Sequence, residues 1–356
     1  MTLRPQLALL AALLLLAPAR LSAQVAPKYS NEFLNIGVGA RNLAMAGSTS
    51  SSTRGVESAF WNPAALAGAP ARWEIGAMHA EYFAGISKYD YLGAAYALPD
   101  SARLAFSAVR LGIDGIQNTL EVFDSQGNID YNRIELFSVA DYAFVFSYAR
   151  PSPLPGLSIG ANAKVVYRDV GKFAQAFGFG LDAAARWAKG RWAAGIMAQD
   201  ITGTFNAWSF DQEALNPLAD TLLNPIPDNA LEVSLPQVRL AGSGRFQINP
   251  DMGLLAELAL HATFDGQRAD LLTTSWASFA PALGLELDFR GIVMARAGVG
   301  NFQNRVDFDG SQWTSFQPNI GLGLKIKNLR IDYALTDIGS QVVSYSNIFS
   351  LAYAFR

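Results

Sequence analysis

The sequence predicts an all-β protein: a transmembrane antiparallel β-barrel of about fourteen strands with an N-terminal plug segment. Three observations carry that expectation. From Trp73 onward, stretches of about ten residues alternate large apolar side chains with small or polar ones. Short connections between these stretches alternate strictly with mostly long ones. Charged residues are only 16% of the 356, against roughly 25% in soluble domains, so much of the surface faces something other than water.

The chain opens with a secretory pattern over residues 1–23. Arg4 supplies the positive start, Leu7 to Ala17 an apolar core, and Leu21-Ser22-Ala23 a small-residue cleavage site before Gln24. Eleven apolar residues are too few to cross a bilayer, which takes about 20. A cleaved signal peptide is the expectation, and it directs the chain to the bacterial cell envelope.

Residues 24–72 lack the alternation that follows. They hold Phe33-Leu34-Asn35-Ile36-Gly37-Val38-Gly39-Ala40-Arg41-Asn42-Leu43-Ala44-Met45-Ala46-Gly47, a Ser/Thr-rich stretch at 48–53, and Phe60-Trp61-Asn62-Pro63-Ala64-Ala65-Leu66. Asn62 can cap a short helix with Pro63 at its first position. Phe33, Leu34, Ile36, Phe60 and Trp61 require burial, so the segment is expected to sit inside the barrel as a plug.

Residues 73–356 are read as the barrel. Fourteen segments are predicted, at 73–80, 89–98, 101–112, 137–149, 157–169, 175–187, 191–200, 235–247, 252–263, 282–290, 292–300, 315–327, 328–336 and 347–356. In Gln175 to Trp187 the apolar Phe177, Phe179, Leu181 and Trp187 share one face, opposite Gly178, Gly180, Asp182 and Arg186. The third segment loses its alternation near Val109, which suggests a bulge or an early exit there. The short connections are Pro99-Asp100, Pro151 to Gly156, Ala188 to Gly190, Ile248 to Asp251, Gly291 and Lys327-Asn328. The others, at 81–88, 113–136, 170–174, 201–234, 264–281, 301–314 and 337–346, fall on the opposite side. Short periplasmic turns, longer outer loops and an even strand number are the plan of an outer-membrane barrel.

The two walls differ in chemistry. One carries Lys164, Arg168, Asp182, Arg186, Arg239, Glu257, Glu286, Arg296, Arg330 and Asp332 among Gly and Ala. Both signs are interleaved, as in a polar lumen crossed by ion pairs. The other wall is apolar and should meet outer-membrane lipid, with Trp73, Tyr91, Trp187 and Trp192 as candidate interfacial residues.

Enzymatic chemistry finds little support. Cysteine is absent, and His79 and His261 are the only histidines. His-Glu-x-x-His and Gly-x-Ser-x-Gly motifs are missing. Gly37-Val38-Gly39 lacks a third glycine and a preceding strand. Asp307-Phe308-Asp309-Gly310 offers two carboxylates where calcium needs six or more oxygens. His261 beside Asp265 and Asp270 is read as a lumen-facing structural histidine. No catalytic residue, metal site or cofactor is expected. A net charge of −3 with no long basic run argues against nucleic acid. The loop at 201–234 is more suggestive. Its Phe205, Trp208 and Phe210 place three aromatics on an outer connection, where exposed aromatics mark partner-binding surfaces.

The run from Phe33 to Gly47 followed by Phe60 to Leu66 resembles the amino-terminal signature of the PorV/PorQ family of outer-membrane proteins. The ending Tyr333-Ala334-Leu335-Thr336-Asp337-Ile338-Gly339 is similar to that family's carboxyl end, although Arg356 follows the last aromatic, Phe355. The resemblance implies kinship with FadL-type fourteen-stranded transporters, whose hatch shares the tripeptide matched by Asn62, Pro63 and Ala64. It also implies a non-enzymatic role in type IX protein secretion, with exported cargo or the translocon as partner. The alternative is passive uptake of hydrophobic small molecules in the FadL manner. An apolar pocket between plug and wall favours uptake, and a plugged polar lumen with an aromatic loop surface favours partner binding.

Overall fold

Alternation of side chains along each strand produces the architecture directly. The computed structural model describes residues 30–355 except 124–125, 220–228, 267, 308 and 337–344. The expected signal peptide, residues 24–29, the Asp337–Gly339 motif, Phe308 and Arg356 lie outside the described residues. One antiparallel sheet runs through β1 (Trp73–Tyr82), β2 (Ser87–Ala97), β3 (Arg103–Asn118), β4 (Glu135–Pro151), β5 (Leu157–Val170), β6 (Ala174–Lys189), β7 (Trp192–Gln199), β8 (Thr204–Phe210) and β9 (Asn229–Ser234). It continues through β10 (Gln237–Asn249), β11 (Met252–Thr263), β12 (Leu272–Thr273), β13 (Ser278–Phe289), β14 (Val293–Val306), β15 (Gln312–Ile326), β16 (Leu329–Thr336) and β17 (Ser346–Phe355). Pairing of Trp73 with Phe355 through Glu81 with Asn347 closes β17 onto β1. Closure leaves the spanning ring without a free edge, which hydrocarbon demands of a spanning sheet.

Fourteen of these strands form the ring. The other three, β8, β9 and β12, belong to the outer connections. β6 pairs with β7 from Ala183 to Lys189 and with β8 from Ala174 to Phe179, so the β8–β9 hairpin extends the wall where short β7 stops. Residues 204–210 are therefore strand, not the irregular loop expected at 201–234. Alternation in Thr204–Phe210, with Asn206 inward and Phe205 outward, gives the physical reason.

The short turns cluster at one end. In Phe289-Arg290-Gly291-Ile292 the central residues have φ of 55° and 66°, and the Ile292 N–H donates to the Phe289 carbonyl at 3.0 Å. Two left-handed residues match the twist of a tight hairpin, and a glycine carries one of them without strain.

The outer wall is apolar. Leu322 is 61% exposed and Leu92 62%, while Asp182, Glu257 and Asp332 on the other face are buried. The protein thus spans a membrane with strands; no helix among the described residues is long and apolar enough to do so. Trp73, Trp187 and Trp192 lie on the lipid wall. Tyr91 does not: it points inward, where its hydroxyl donates to the Val56 carbonyl at 3.2 Å and meets Ser107 Oγ at 3.1 Å. Gly93 and Ala95 on the same face of β2 leave room for the ring.

The third strand also departs from expectation. It runs unbroken past Val109, and its register shifts only between Ile113 and Ile116. Alternation fades at Val109 because the lumen there is apolar. Met78, Tyr89, Tyr91, Val109, Val166 and Ile348 line that part of the inner wall and pack on Phe33, Leu34, Val38 and Phe60.

Candidate functional site

Residues 30–72 lie inside the ring and touch the wall nearly all the way round. Asn31 Nδ2 donates to Ser234 Oγ at 3.0 Å, and the Ala40 N–H to Ser350 Oγ at 3.1 Å. The Ser51 N–H and hydroxyl both donate to Glu257 Oε1 at 2.7 Å, while Arg186 Nε donates to the Ser51 carbonyl at 2.7 Å. Ser51 is thereby clamped between two wall residues of opposite charge, three strands apart in the ring.

One buried ion chain begins and ends on this segment. Arg41 Nε lies 2.7 Å from Glu286 Oε2, which also takes Arg296 Nε at 2.8 Å. Arg296 Nη1 meets Asp332 Oδ1 at 2.8 Å, and Asp332 Oδ2 meets Arg330 Nε at 2.9 Å. Arg330 Nη2 returns to Glu57 Oε1 at 3.1 Å. Three cations alternate with three anions, so the chain is neutral as well as buried, which is what makes such burial tolerable. A second cluster sits in the wall, where Lys164 Nζ holds Asp182 at 2.8 Å and Asp200 at 2.6 Å.

Asn62, Pro63 and Ala64 are brought together against β5 to β7. Asn62 has extended φ and ψ of −167° and 96°, and its Oδ1 accepts from the Ala64 N–H at 3.1 Å, capping the 3-10 turn Pro63–Gly68. Its Nδ2 donates to the carbonyls of Ser50 at 2.9 Å and Ala185 at 3.3 Å. The wall is cut back to receive the turn: a Cβ on Gly160 would lie 2.4 Å from the Ala64 nitrogen. This pairing of a wall glycine with the Ala64 backbone had no signal in the sequence, because the two are far apart along the chain.

Phe205, Trp208 and Phe210 do not form one patch. Phe205 faces outward and is 45% exposed. Trp208 and Phe210 face the other way and stack with ring centroids 6.2 Å apart. Trp208 Nε1 donates to Glu232 Oε2 at 3.1 Å, under the Arg168 guanidinium 5.0 Å from its ring.

Two cavities flank the segment, and no residue lines both. The outer one, about 660 Å³, is bounded by Ile36, Leu43, Trp61, Tyr82, Phe83, Leu111 and Ile113 on its apolar side, and by Glu32, Asn35, Arg239, His261 and Asn319 on its polar side. The inner one, about 290 Å³, is lined by Arg41, Arg54, Arg186, Arg296, Lys325 and Arg330 with Glu74 and Glu286. Ser50 lines the outer cavity and Thr53 the inner, so the Ser/Thr-rich stretch separates them. At the outer rim Arg268 binds Asp265 at 3.0 Å and Glu32 at 3.0 Å. Burial alone would lower the Arg268 pKa, but these two carboxylates raise it above its ordinary value. His261 shares a hydrogen bond of 2.8 Å with Gln237 Oε1.

Solved structures place this arrangement. The toluene transporter TodX of P. putida is 14% identical with a TM-score of 0.56, the match covering 90% of this chain and 99% of that one. The chain has the fourteen-stranded outer-membrane barrel fold. The CymD monoaromatic hydrocarbon channel is 12% identical, with a TM-score of 0.55 and coverage of 90% and 98%. A FadL homologue of Pseudomonas aeruginosa is 13% identical, with a TM-score of 0.50 and coverage of 90% and 98%. No protein-family model matches the sequence, and no curated protein matches it.

Proposed function

We propose that this protein is a non-enzymatic channel of the bacterial outer membrane that admits small hydrophobic molecules by passive diffusion. The observation that carries the reading is the partly apolar outer cavity, about 660 Å³, held between the N-terminal segment and the wall. Pockets of about 300–1,000 Å³ suit small organic ligands. Three solved barrels of this fold are described as a toluene transporter, a monoaromatic hydrocarbon channel and a FadL homologue, which supports the same direction. In this reading residues 24–72 act as the plug, Asn62, Pro63 and Ala64 fix its position, and the route runs from the outer cavity past the Ser/Thr-rich stretch.

The test is the initial rate of labelled toluene entry into cells whose outer membrane is otherwise tight. Expression of this protein should raise the rate several-fold over an empty vector. A rate equal to the vector's, at barrel levels confirmed by heat-modifiable gel mobility, would overturn the proposal.

The PorV/PorQ resemblance, with its role in type IX secretion and a translocon or cargo partner, is the second reading. Outward, half-exposed Phe205 favours it. Its test is a pull-down from outer membranes: Phe205→Ala should lower recovery of a secretion partner that the wild type retains. None of the three barrels named above is described as a secretion component.

A further inference from the structure

The apolar band on the outside of the barrel is not of one height. Outward side chains are apolar from Leu157 to Tyr167 on β5, from Phe177 to Trp187 on β6, from Phe279 to Phe289 on β13 and from Phe316 to Ile326 on β15. At about 3.4 Å per residue and a tilt near 45°, each of these runs rises about 25 Å, the usual height of a lipid-facing band. Three neighbouring strands stop far short. Their outward runs extend only from Trp73 to Ala77 on β1, from Tyr96 to Leu92 on β2 and from Leu104 to Ala108 on β3. On the same scale that is a rise of about 10 Å. His79 and Glu81 follow on β1, Asp90 and Lys88 on β2, and Arg110 and Asp114 on β3. The register sets His79 opposite Asp90 and Asp90 opposite Arg110, so the charges form one row across the wall. His79 Nδ1 lies 2.7 Å from Asp90 Oδ1, Arg110 reaches Asp90 at 3.7 Å and Asp114 at 3.6 Å, and Lys88 Nζ meets Asp114 at 3.2 Å. A Cβ on Gly112 would lie 2.5 Å from Arg110 Nη2, so the arginine runs over this glycine toward the outer end of the barrel.

These groups pair with one another and still face outward. Arg110 is 29% exposed and the other five are between 42% and 55%. Side chains of this kind do not sit bare in hydrocarbon. They draw water and headgroups down to themselves, and a band shorter than the bilayer thins the lipid around it. We propose that the outer face of β1–β3 is a docking surface for the headgroups of outer-leaflet lipid, which descend beside these strands about 15 Å below their level around the rest of the ring. Lys88 and Arg110 take the lipid phosphate. Glu81, whose pairing with His79 is loose at 3.7 Å, takes the cation that accompanies it. Tyr142, whose hydroxyl accepts from Arg110 Nε at 3.4 Å, and Tyr167, stacked on it with centroids 6.1 Å apart, border the row on one side. Tyrosines suit such a boundary between apolar and wet surroundings. Phe83 and Ile86 at the tip of the β1–β2 hairpin are exposed beyond the row, but two side chains above six ionisable ones give hydrocarbon no continuous surface. The inference concerns the membrane face alone and does not depend on what the lumen carries.

The experiment places a nitroxide on one introduced cysteine at a time in the full chain, folded into phosphatidylcholine vesicles. The chain has no cysteine of its own. Leu92→Cys and Tyr96→Cys mark the two ends of the short run on β2, and Ile320→Cys marks a similar height above the inner turn on β15. Collisions with oxygen, which concentrates in hydrocarbon, and with a water-soluble nickel chelate, which does not, report depth. The ratio of oxygen to chelate collisions should be several-fold lower at both Leu92→Cys and Tyr96→Cys than at Ile320→Cys. Adding Lys88→Leu, Asp90→Leu, Arg110→Leu and Asp114→Leu together, which leaves net charge unchanged, should raise the ratio at Leu92→Cys to that of Ile320→Cys. Equal ratios at Leu92→Cys and Ile320→Cys without the leucines overturn the proposal, whether or not the leucine variant folds. Chelate access at only one of the two β2 positions, the mark of a barrel tilted in a flat membrane, overturns it too. So does exclusion of both reagents from Leu92→Cys, which would mean that a second copy of the chain covers the row. A low ratio at Leu92→Cys that survives the four leucines also overturns it, because the charges would then not be what holds the headgroups.

Discussion

At the scale of single residues, Asn62 shows how one side chain can organise a segment. Its oxygen caps the turn at Ala64, and its amide nitrogen serves the Ser50 and Ala185 carbonyls. Asn62→Ala removes the cap and strands the Ala64 N–H and the Ser50 carbonyl in a buried site. The combined loss should be about 2–4 kcal/mol, from a cap worth about 1 and unsatisfied groups worth about 1–3. A lowered urea midpoint for the heat-modifiable form would show it, and an unchanged midpoint would mean that water replaces the amide at no cost. The capping role was legible because Asn-Pro is a local signal. Ala64's pairing with Gly160 was not, since nothing local marks which wall glycine a distant backbone will approach. Tyr91 was misread for a related reason. A tyrosine on a barrel strand suits the interface and the lumen equally, and only the presence of Val56 and Ser107 decides.

At the scale of elements, the alternation along each strand carries the structure, and it was read from sequence almost completely. It failed at Val109, where the inner wall meets an apolar part of the segment inside, and at Thr204–Phe210, where strand pairing continues above the membrane. The face assignment makes a direct prediction. Leu322→Arg on β15 puts a charge into lipid and should cost about 2–4 kcal/mol near mid-membrane. Unfolding titrations of the barrel in phosphatidylcholine vesicles measure it; a cost below about 1 kcal/mol would mean that this part of β15 lies at the interface. The ion chain is a second property of elements, because it ties β13, β14 and β16 to the segment inside them. Its wall members were visible as charges on the polar face. Their partners Arg41 and Glu57 were not, because they are separated from the wall by most of the chain. Glu286→Gln leaves Arg41 and Arg296 without their shared carboxylate. Breaking a buried pair in this way costs about 3–5 kcal/mol, visible as a lower urea midpoint, while Asp288→Asn, on the same strand and half-buried, should cost less than about 1 kcal/mol.

At the scale of the whole molecule, the barrel and the segment within it are separable in principle. The ring closes through β1 and β17 without help from residues 30–70, and the lumen charges would be solvated if that segment were gone. Deletion of residues 30–70, with residues 1–29 retained, should therefore leave a heat-modifiable barrel and open a wide aqueous path. Planar bilayers should show a stepwise conductance well above that of the full chain. The same logic predicts how the ion chain and the segment interact. In the full chain Glu286→Gln weakens the hold on Arg41 and should produce brief open events. In the deletion variant Glu286 faces water and Arg41 is absent, so the same substitution should add nothing to the conductance. Independent sites give additive effects, and groups in one network do not. Equal effects of Glu286→Gln in both backgrounds would mean that the carboxylate acts on the wall alone and that the segment is held by its apolar contacts with Tyr89, Val109 and Ile348.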